Sequence, residues 1–241
     1  MQPDLSGQVA VVTGAGRGIG RAIARSLASA GARVALAART EAEIQALADA
    51  ITAAGGRALA VPTDLAEEAS VRALFATVRD RCGRLDVLVN NAGVGRYGPL
   101  AEFPVADLDR VIAVNLRGTF LCCQEAMRMM VPAGRGYIIN VSSVVGFKGY
   151  PNQAAYTATK HGVMGLTKSL AVEAQPHGIR TSAVLPGGVD TDLVRQARPD
   201  LDPSVLLAPQ DVAQTVLYLL SLSERAAVDQ VYIRRRASRP F

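Results

Sequence analysis

Tyr156 and Lys160 stand four residues apart in Tyr156-Thr157-Ala158-Thr159-Lys160, on a segment whose pattern predicts a helix running towards Glu173. That spacing stacks both side chains on one helical face. A phenol with an ordinary pKa near ~10 is a reluctant acid-base group at neutral pH. An ammonium ~4 Å away contributes roughly 1–4 kcal/mol at an effective dielectric of about 20 to 80, enough to lower the phenol by about one to three pH units. The pair is therefore expected to trade a proton with an oxygen whose charge changes, such as a carbonyl becoming an alkoxide. Ser143, upstream of the same segment, is a candidate hydrogen-bond donor to that oxygen.

A second chemistry-bearing stretch lies near the start, where Val9 to Val12 leads into Thr13-Gly14-Ala15-Gly16-Arg17-Gly18-Ile19-Gly20 and then a helical run with Ile23, Ala24, Leu27 and Ala28. Strand, glycine loop and helix is the context in which backbone N–H groups at a helix N-terminus receive a pyrophosphate. Glycines at 14, 18 and 20 would let the backbone turn tightly and approach the ligand. The spacing is not GxGxxG, whose third glycine would fall on Ile19. Dinucleotide folds hold the adenosine ribose with an acid roughly 20 residues further on; here that place is Ala38, followed by Arg39. Arg39 and Arg17, with no carboxylate to repel a 2′-phosphate, favour NADP(H) over NAD(H).

Positioning these residues calls for alternating elements. Val9 to Val12, Val34 to Ala38, Ala58 to Val61, Val87 to Val89, Tyr137 to Val141, Thr181 to Leu185 and Val228 to Ile233 read as seven strands. Between them, Ile44, Leu47, Ala48 and Ile51, and again Val71, Leu74, Phe75 and Val78, form apolar stripes of amphipathic helices. Thr40 and Glu43 have the spacing of a capping box. Repeated strand-helix-strand units predict an α/β, doubly wound, Rossmann-like parallel sheet of about seven strands with helices on both faces, a three-layer sandwich. At 241 residues the chain is expected to be one dinucleotide-binding and catalytic domain over 1–241. A substrate flap is expected near 187–208.

Composition narrows the partners. With 49% hydrophobic and 20% charged residues, the chain is neither disordered nor fibrous. Met1 to Gln8 lacks the pattern of a signal peptide and no run of ~18 apolar residues occurs, so a cytoplasmic protein off the membrane is expected. Cys82, Cys122 and Cys123 are too few and too close for a disulfide framework, and neither His161 nor His177 has ligand-spaced neighbours, so no metal is expected. The net charge of +5 owes much to Arg234, Arg235, Arg236 and Arg239. No nucleic-acid recognition motif accompanies them, and a solvated or subunit-facing tail is the simpler reading.

The TGxxxGxG loop, Asn90-Asn91-Ala92-Gly93, Ser143 with Tyr156-x-x-x-Lys160, and Pro186-Gly187-Gly188-Val189-Asp190-Thr191 occur in the chain order of the short-chain dehydrogenase/reductase family. The chain resembles that family from about Leu5 to Leu222. The resemblance implies hydride transfer between a nicotinamide and a carbonyl or alcohol carbon, with Tyr156 as general acid and base, Ser143 rather than Ser142 as its partner, and Lys160 also holding the nicotinamide ribose. Asn115 would support a water and proton relay to that lysine. It further implies cofactor contacts by Gly14, Arg17, Gly18, Ile19, Gly20, Asp64, Leu65, Asn90, Gly93, Pro186, Gly187, Val189 and Thr191.

Some of these residues have plainer uses. Asp64 with Glu67 fits a helix cap as well as an adenine contact, and Asn90 to Gly93 fits a plain turn. The family's frequent Val-Asp-Gly-Gly ending is replaced by Val231-Tyr232-Ile233-Arg234-Arg235-Arg236. A carbonyl reductase or reverse alcohol dehydrogenase, assembled as a homotetramer or dimer and acting on a small molecule, is the leading expectation. A 3-oxoacyl-[acyl-carrier-protein] reductase is an alternative, since a basic protein could steer an acidic carrier. An NADP(H)-binding regulator without catalysis is another, against which the intact Tyr156 and Lys160 argue. Substrate choice is assigned to Gly93 to Leu100 and to the flap.

Overall fold

A computed structural model describes residues 3–197 and 201–238. Seven strands, β1 (Val9–Thr13), β2 (Arg33–Ala38), β3 (Arg57–Pro62), β4 (Val87–Asn90), β5 (Gly136–Val141), β6 (Ile179–Pro186) and β7 (Gln230–Ile233), form one sheet in the order β3-β2-β1-β4-β5-β6-β7. All six pairings are parallel, with Val11 beside Ala35 on one flank and Leu88 on the other. This is the Rossmann-like, doubly wound sheet. Every residue of β1 is buried, as a parallel strand covered on both faces requires. The last strand begins at Gln230 rather than Val228, because the Val228 carbonyl accepts the Ser182 hydroxyl instead.

Alternation along β1 divides the core in two. Ala10 and Val12 pack with Ile23 and Leu27 of α1 (Gly18–Ser29), Ile44 and Leu47 of α2 (Glu41–Ala53) and Val216 of α8 (Pro209–Ser221). Val9 and Val11 face the opposite layer, with Leu74 and Phe75 of α3 (Glu68–Cys82), Cys122 and Met130 of α5 (Thr119–Ala133) and Leu170 of α6 (Ala154–Ala174). Both apolar stripes read from the sequence are therefore buried against the sheet. Cys122 and Cys123 are buried, unbridged thiols in the second layer.

The capping box expected at Thr40 does not form. Thr40 is the N-cap of α2 but makes no side-chain cap bond, and only its carbonyl meets the Glu43 N–H. Glu43 instead leans over the glycine loop, where its carboxylate lies against Gly16. Nor does Asp64 cap α3. The N-cap is Glu67, and the Asp64 carboxylate accepts the Ala66 N–H at 3.0 Å in a local turn.

Two irregular stretches matter for the cleft. Between α4 (Val105–Val111) and α5 the helix widens into a π-helical segment, Ile112–Gly118, the kind of expanded turn that re-aims a side chain. After β6 the chain forms α7 (Asp192–Ala197) and a single 3₁₀ turn, Pro203–Val205. This is the stretch read as a flap. Its base is tied by a bridge between Val189 and Leu207, with Asp190 N–H bonded to the Leu207 carbonyl at 2.8 Å.

Candidate active site

The sheet order reverses direction between β1 and β4, and loops leaving the carboxyl ends of β1, β4, β5 and β6 border an open cleft of about 750 Å³. Such a switch point is where ligands settle in open α/β sheets. Gly14 and Gly18 lie in it, as do Ile19 and Arg17. Gly14 has φ +65°, and a Cβ there would sit 2.8 Å from the Ala92 Cα, so both conformation and crowding require glycine. Gly20 is buried off the cleft, where a Cβ would come within 2.2 Å of the Gly14 carbonyl oxygen. Its smallness lets α1 press onto the loop.

The asparagine pair divides its work. Asn91 donates to the Thr13 and Gly14 carbonyls at 3.0 and 3.3 Å, and the Thr13 hydroxyl accepts from the Asn91 and Ala92 N–H groups, so β4 braces the glycine loop. Asn90, expected at the cofactor, is buried away from the cleft and donates to Asn140 at 2.9 Å. It braces β4 against β5 instead.

At the far end of the cleft, beyond Ala38, Arg39 is exposed and makes no ion pair among the described residues. Arg17 does not converge with it. Its guanidinium pairs with Asp192 at 3.1 Å, across to α7. The acid-free environment expected there holds at residue 38 but not around it, since Glu43 reaches Gly16. Asp64 and Leu65 also border this end. Burial works against the Asp64 charge, but the Ala66 N–H and the Arg110 guanidinium at 3.3 Å keep its carboxyl below the usual range.

The opposite wall gathers Ser143, Tyr156 and Lys160. Ser143 ends the loop after β5, where its hydroxyl accepts the Val145 N–H at 3.3 Å and also hydrogen-bonds Tyr156. Ser142 turns the other way, donating to the Lys160 carbonyl at 3.1 Å. The Lys160 ammonium donates to the Val141 carbonyl at 3.0 Å and lies 5.7 Å from the Tyr156 ring centroid. The shared helical face is present, but the lowered phenol pKa expected from it does not follow. Burial instead pushes the Tyr156 phenol well above its ordinary value, Tyr97 adds to the rise, and the Ser143 bond only partly opposes it. The same burial lowers Lys160 to about 8.

Asn115 sits one layer behind, 1% exposed, on the π-helical segment. Its side-chain carbonyl accepts the Val94 N–H at 2.8 Å, and its amide donates to the Val94 carbonyl at 2.9 Å and to Thr159 at 3.3 Å. Thr159 in turn donates to the Tyr156 carbonyl. Asn115 thus joins the loop after β4 to the Tyr156 helix, with Gly93 lying between Asn115 and Lys160. Pro186, Gly187, Val189 and Thr191 close the cleft from the β6 side, the Gly187 N–H bonded to the Ile233 carbonyl at 2.8 Å.

Sequence reading missed Tyr97, whose ring meets Tyr156 edge-on at 5.9 Å and whose phenol burial raises to about 12. It also missed Asp192, the acid that occupies Arg17. Neither carries a local motif, because both act through contacts far apart in the chain.

Parallel sheet, switch-point cleft, glycine loop and a Ser-Tyr-Lys wall define a Rossmann-like oxidoreductase. A family model for short chain dehydrogenase matches residues 8–202. The 3beta-hydroxysteroid dehydrogenase of Mediterraneibacter gnavus is 43% identical over 80% of this chain and 70% of its own length. A 3-oxoacyl-[acyl-carrier-protein] reductase of Synechocystis sp. is 41% identical over 89% of this chain and 90% of its own. Among solved structures, a metagenomic short-chain oxidoreductase in complex with NADP superposes with a TM-score of 0.86 at 41% identity, covering 98% of this chain and 100% of that one. The chain belongs to the short-chain dehydrogenase/reductase family, and is an oxidoreductase acting on carbonyl or alcohol groups.

Proposed function

We propose that the chain is an NADP(H)-dependent carbonyl reductase, able to run in reverse as an alcohol dehydrogenase, with residues 1–241 forming one dinucleotide-binding and catalytic domain. The observation that carries this is the convergence of Ser143, Tyr156 and Lys160 on one wall of the cleft that holds the glycine loop. The loop fits a dinucleotide: α1 starts with no side-chain cap and no acid in its first turn, leaving N–H groups for a pyrophosphate. Ala38 and the unpaired Arg39 suit a 2′-phosphate better than a ribose diol, and the NADP complex of a 41% identical relative supports the same cofactor. Asp64 and Leu65 would flank the adenine, and Gly93, Pro186, Gly187, Val189 and Thr191 the nicotinamide half.

When bound, the cofactor supplies the hydride. Tyr156 donates its phenolic proton to the substrate oxygen, and the Ser143 hydroxyl donates a hydrogen bond to the same atom. Burial makes the phenol a weaker acid than usual, so the cost of forming its phenolate has to be offset by neighbouring donors and charge. Lys160 stabilises the resulting phenolate and holds the ribose. Asn115 acts by position, fixing the loop at Val94 and, through Thr159, the helix of Tyr156. Gly20 and Asn90 serve by packing and bracing.

The enzyme is further read as a cytoplasmic homo-oligomer. Apolar side chains exposed on its helices, Phe120, Val172 and Tyr218 among them, support subunit contacts. In the described residues no helix is long and apolar enough to cross a membrane. A carrier-protein substrate is the second reading, favoured by the name of the 41% identical Synechocystis relative. NADPH oxidation measured against acetoacetyl thioesters, diketones and keto acids tests all of this, with Tyr156→Phe as control. Turnover surviving in that variant refutes the mechanism. Tight NADPH binding without turnover of any ketone would favour a regulator.

A further inference from the structure

The arginines at the end of the chain, a single block of charge in the sequence, separate into distinct positions. Arg239 lies outside the described residues. Arg236 is exposed. Arg234 folds back on the tail, its guanidinium donating to the carbonyls of Arg235 at 3.2 Å, Arg236 at 3.3 Å and Ser238 at 2.5 Å, while the Ser238 N–H bonds to the Arg235 carbonyl. One arginine therefore knots the backbone of the turn that carries the next.

Arg235 points the other way, into the cleft that also holds Ser143 and Tyr156. Its Cδ and Nε lie over Gly188, 3.4 and 3.5 Å from where a Cβ would stand. A side chain on residue 188 would press on the guanidinium stem. The turn is anchored from below by the bond between the Gly187 N–H and the Ile233 carbonyl. Leu206 also lies against Gly188, its Cδ2 3.1 Å from where that Cβ would stand, and Leu201, Val194, Val145 and Tyr150 line the same cleft. The guanidinium stem thus has an apolar neighbour in Leu206.

Charge partners distinguish Arg235 from its neighbours. Arg17 has Asp192 at 3.1 Å, Arg96 has Asp107 at 3.0 Å, Arg110 has Asp64 at 3.3 Å, and Arg195 has Asp190 at 2.8 Å. Of the arginines bordering the cleft, only Arg39 and Arg235 make no ion pair among the described residues, and Arg39 still has the Asp64 charge nearby. Arg39 is at the adenosine end, where a 2′-phosphate would meet it. Arg235 is half-buried, makes no ion pair among the described residues, and borders the same cleft as the reacting groups. A partly desolvated guanidinium is costly unless something negative meets it, and its planar fork suits a carboxylate held by two hydrogen bonds.

We propose that Arg235 is a specificity-determining residue that selects carbonyl substrates bearing a carboxylate on an apolar body, in other words hydrophobic keto acids and the matching hydroxy acids. The inference rests on the carbonyl-reductase reading above. Its test compares benzoylformate with its methyl ester in NADPH-dependent reduction by the wild type, Arg235→Gln and Arg235→Lys, alongside calorimetric binding of unreactive benzoate to all three.

The acid-to-ester ratio of kcat/KM is expected to fall about 10- to 100-fold in Arg235→Gln, the scale of a lost charge-assisted pair, and to recover in part in Arg235→Lys. The KM for NADPH should stay the same. Benzoate affinity should fall in step with the ratio. An unchanged ratio with unchanged benzoate affinity overturns the assignment, as does an altered NADPH KM with the ratio intact, which would move the guanidinium to the cofactor. If the wild type reduces neither ketone, the reductase reading fails on these substrates. Benzoate binding then decides Arg235 separately, equal affinity in all three proteins counting against it.

Discussion

Replacing Lys160 by methionine isolates the energetic cost of burying a cation for chemistry. Lys160 is 4% exposed, and burial lowers its pKa from an ordinary 10.5 to about 8. Because the folded value is depressed, the unfolded chain binds more protons above pH ~8, and stability rises with pH there. The penalty is fully present below about pH 8 and fades as pH climbs towards the unfolded value. At about pH 7 it amounts to roughly 3 kcal/mol, and between about pH 7 and about pH 9.5 close to 2 kcal/mol of it disappears. Lys160→Met removes the cation but strands the Val141 carbonyl that the ammonium serves at 3.0 Å, a loss of about 1–3 kcal/mol. The absolute change at neutral pH is therefore small, and its pH dependence is the signal. Urea unfolding of wild type and Lys160→Met, without cofactor and at matched protein concentration, should show the difference in unfolding free energy moving by ~2 kcal/mol in favour of the wild type as pH rises over that range. A difference that stays constant would mean that Lys160 is not desolvated as described. Activity should be lost in the variant throughout.

Three further outcomes are expected. Ser143→Ala should lower kcat by about 10²-fold or more, whereas Ser142→Ala should keep turnover and lose about 1 kcal/mol of stability, because its hydroxyl serves only the Lys160 carbonyl; the reverse pattern in steady-state assays would exchange the two. Arg39→Gln should raise the KM for NADPH by about tenfold or more while sparing NADH. Arg17→Gln should do less, since Arg17 is already paired with Asp192; an unchanged NADPH KM in Arg39→Gln removes the NADP assignment. Leu74→Ala, emptying a site with no exposure between α3 and the sheet, should lower unfolding free energy by about 2–5 kcal/mol in denaturant titrations.

The parts of this structure that could be read from sequence are those encoded locally. A run such as Val9 to Val12 is apolar at every position because a central parallel strand is covered on both faces, and the stripe Val71, Leu74, Phe75, Val78 is the helix period itself. The glycine loop is legible for the same reason, since Gly14 and Gly18 take positive φ and Gly20 packs on the Gly14 carbonyl of the same loop, although the crowding at Gly14 itself comes from Ala92. What stayed hidden depends on pairs distant in sequence. Arg17 and Asp192 are 175 residues apart, and nothing near Arg17 announces that an acid will claim it. Thr40 and Glu43 had the right letters for a cap, but the loop beside them offered Glu43 another place. The Tyr156 phenol was misjudged because a four-residue spacing fixes a shared face and not the burial around it. The tail arginines looked alike because only the fold turns one inwards.

The bridge between Val189 and Leu207 has an evolutionary corollary. Once that stem is paired, the residues strung between its ends form a closed loop, and closing a longer one adds only about 0.6 kcal/mol for each doubling of length. Insertions and deletions inside the stem beyond Asp192, which pairs with Arg17, would leave the sheet and the Tyr156 helix undisturbed. Descendants of such a chain can trade one substrate-facing loop for another at almost constant folding free energy, so new specificities can arise without first being preceded by stabilising mutations elsewhere.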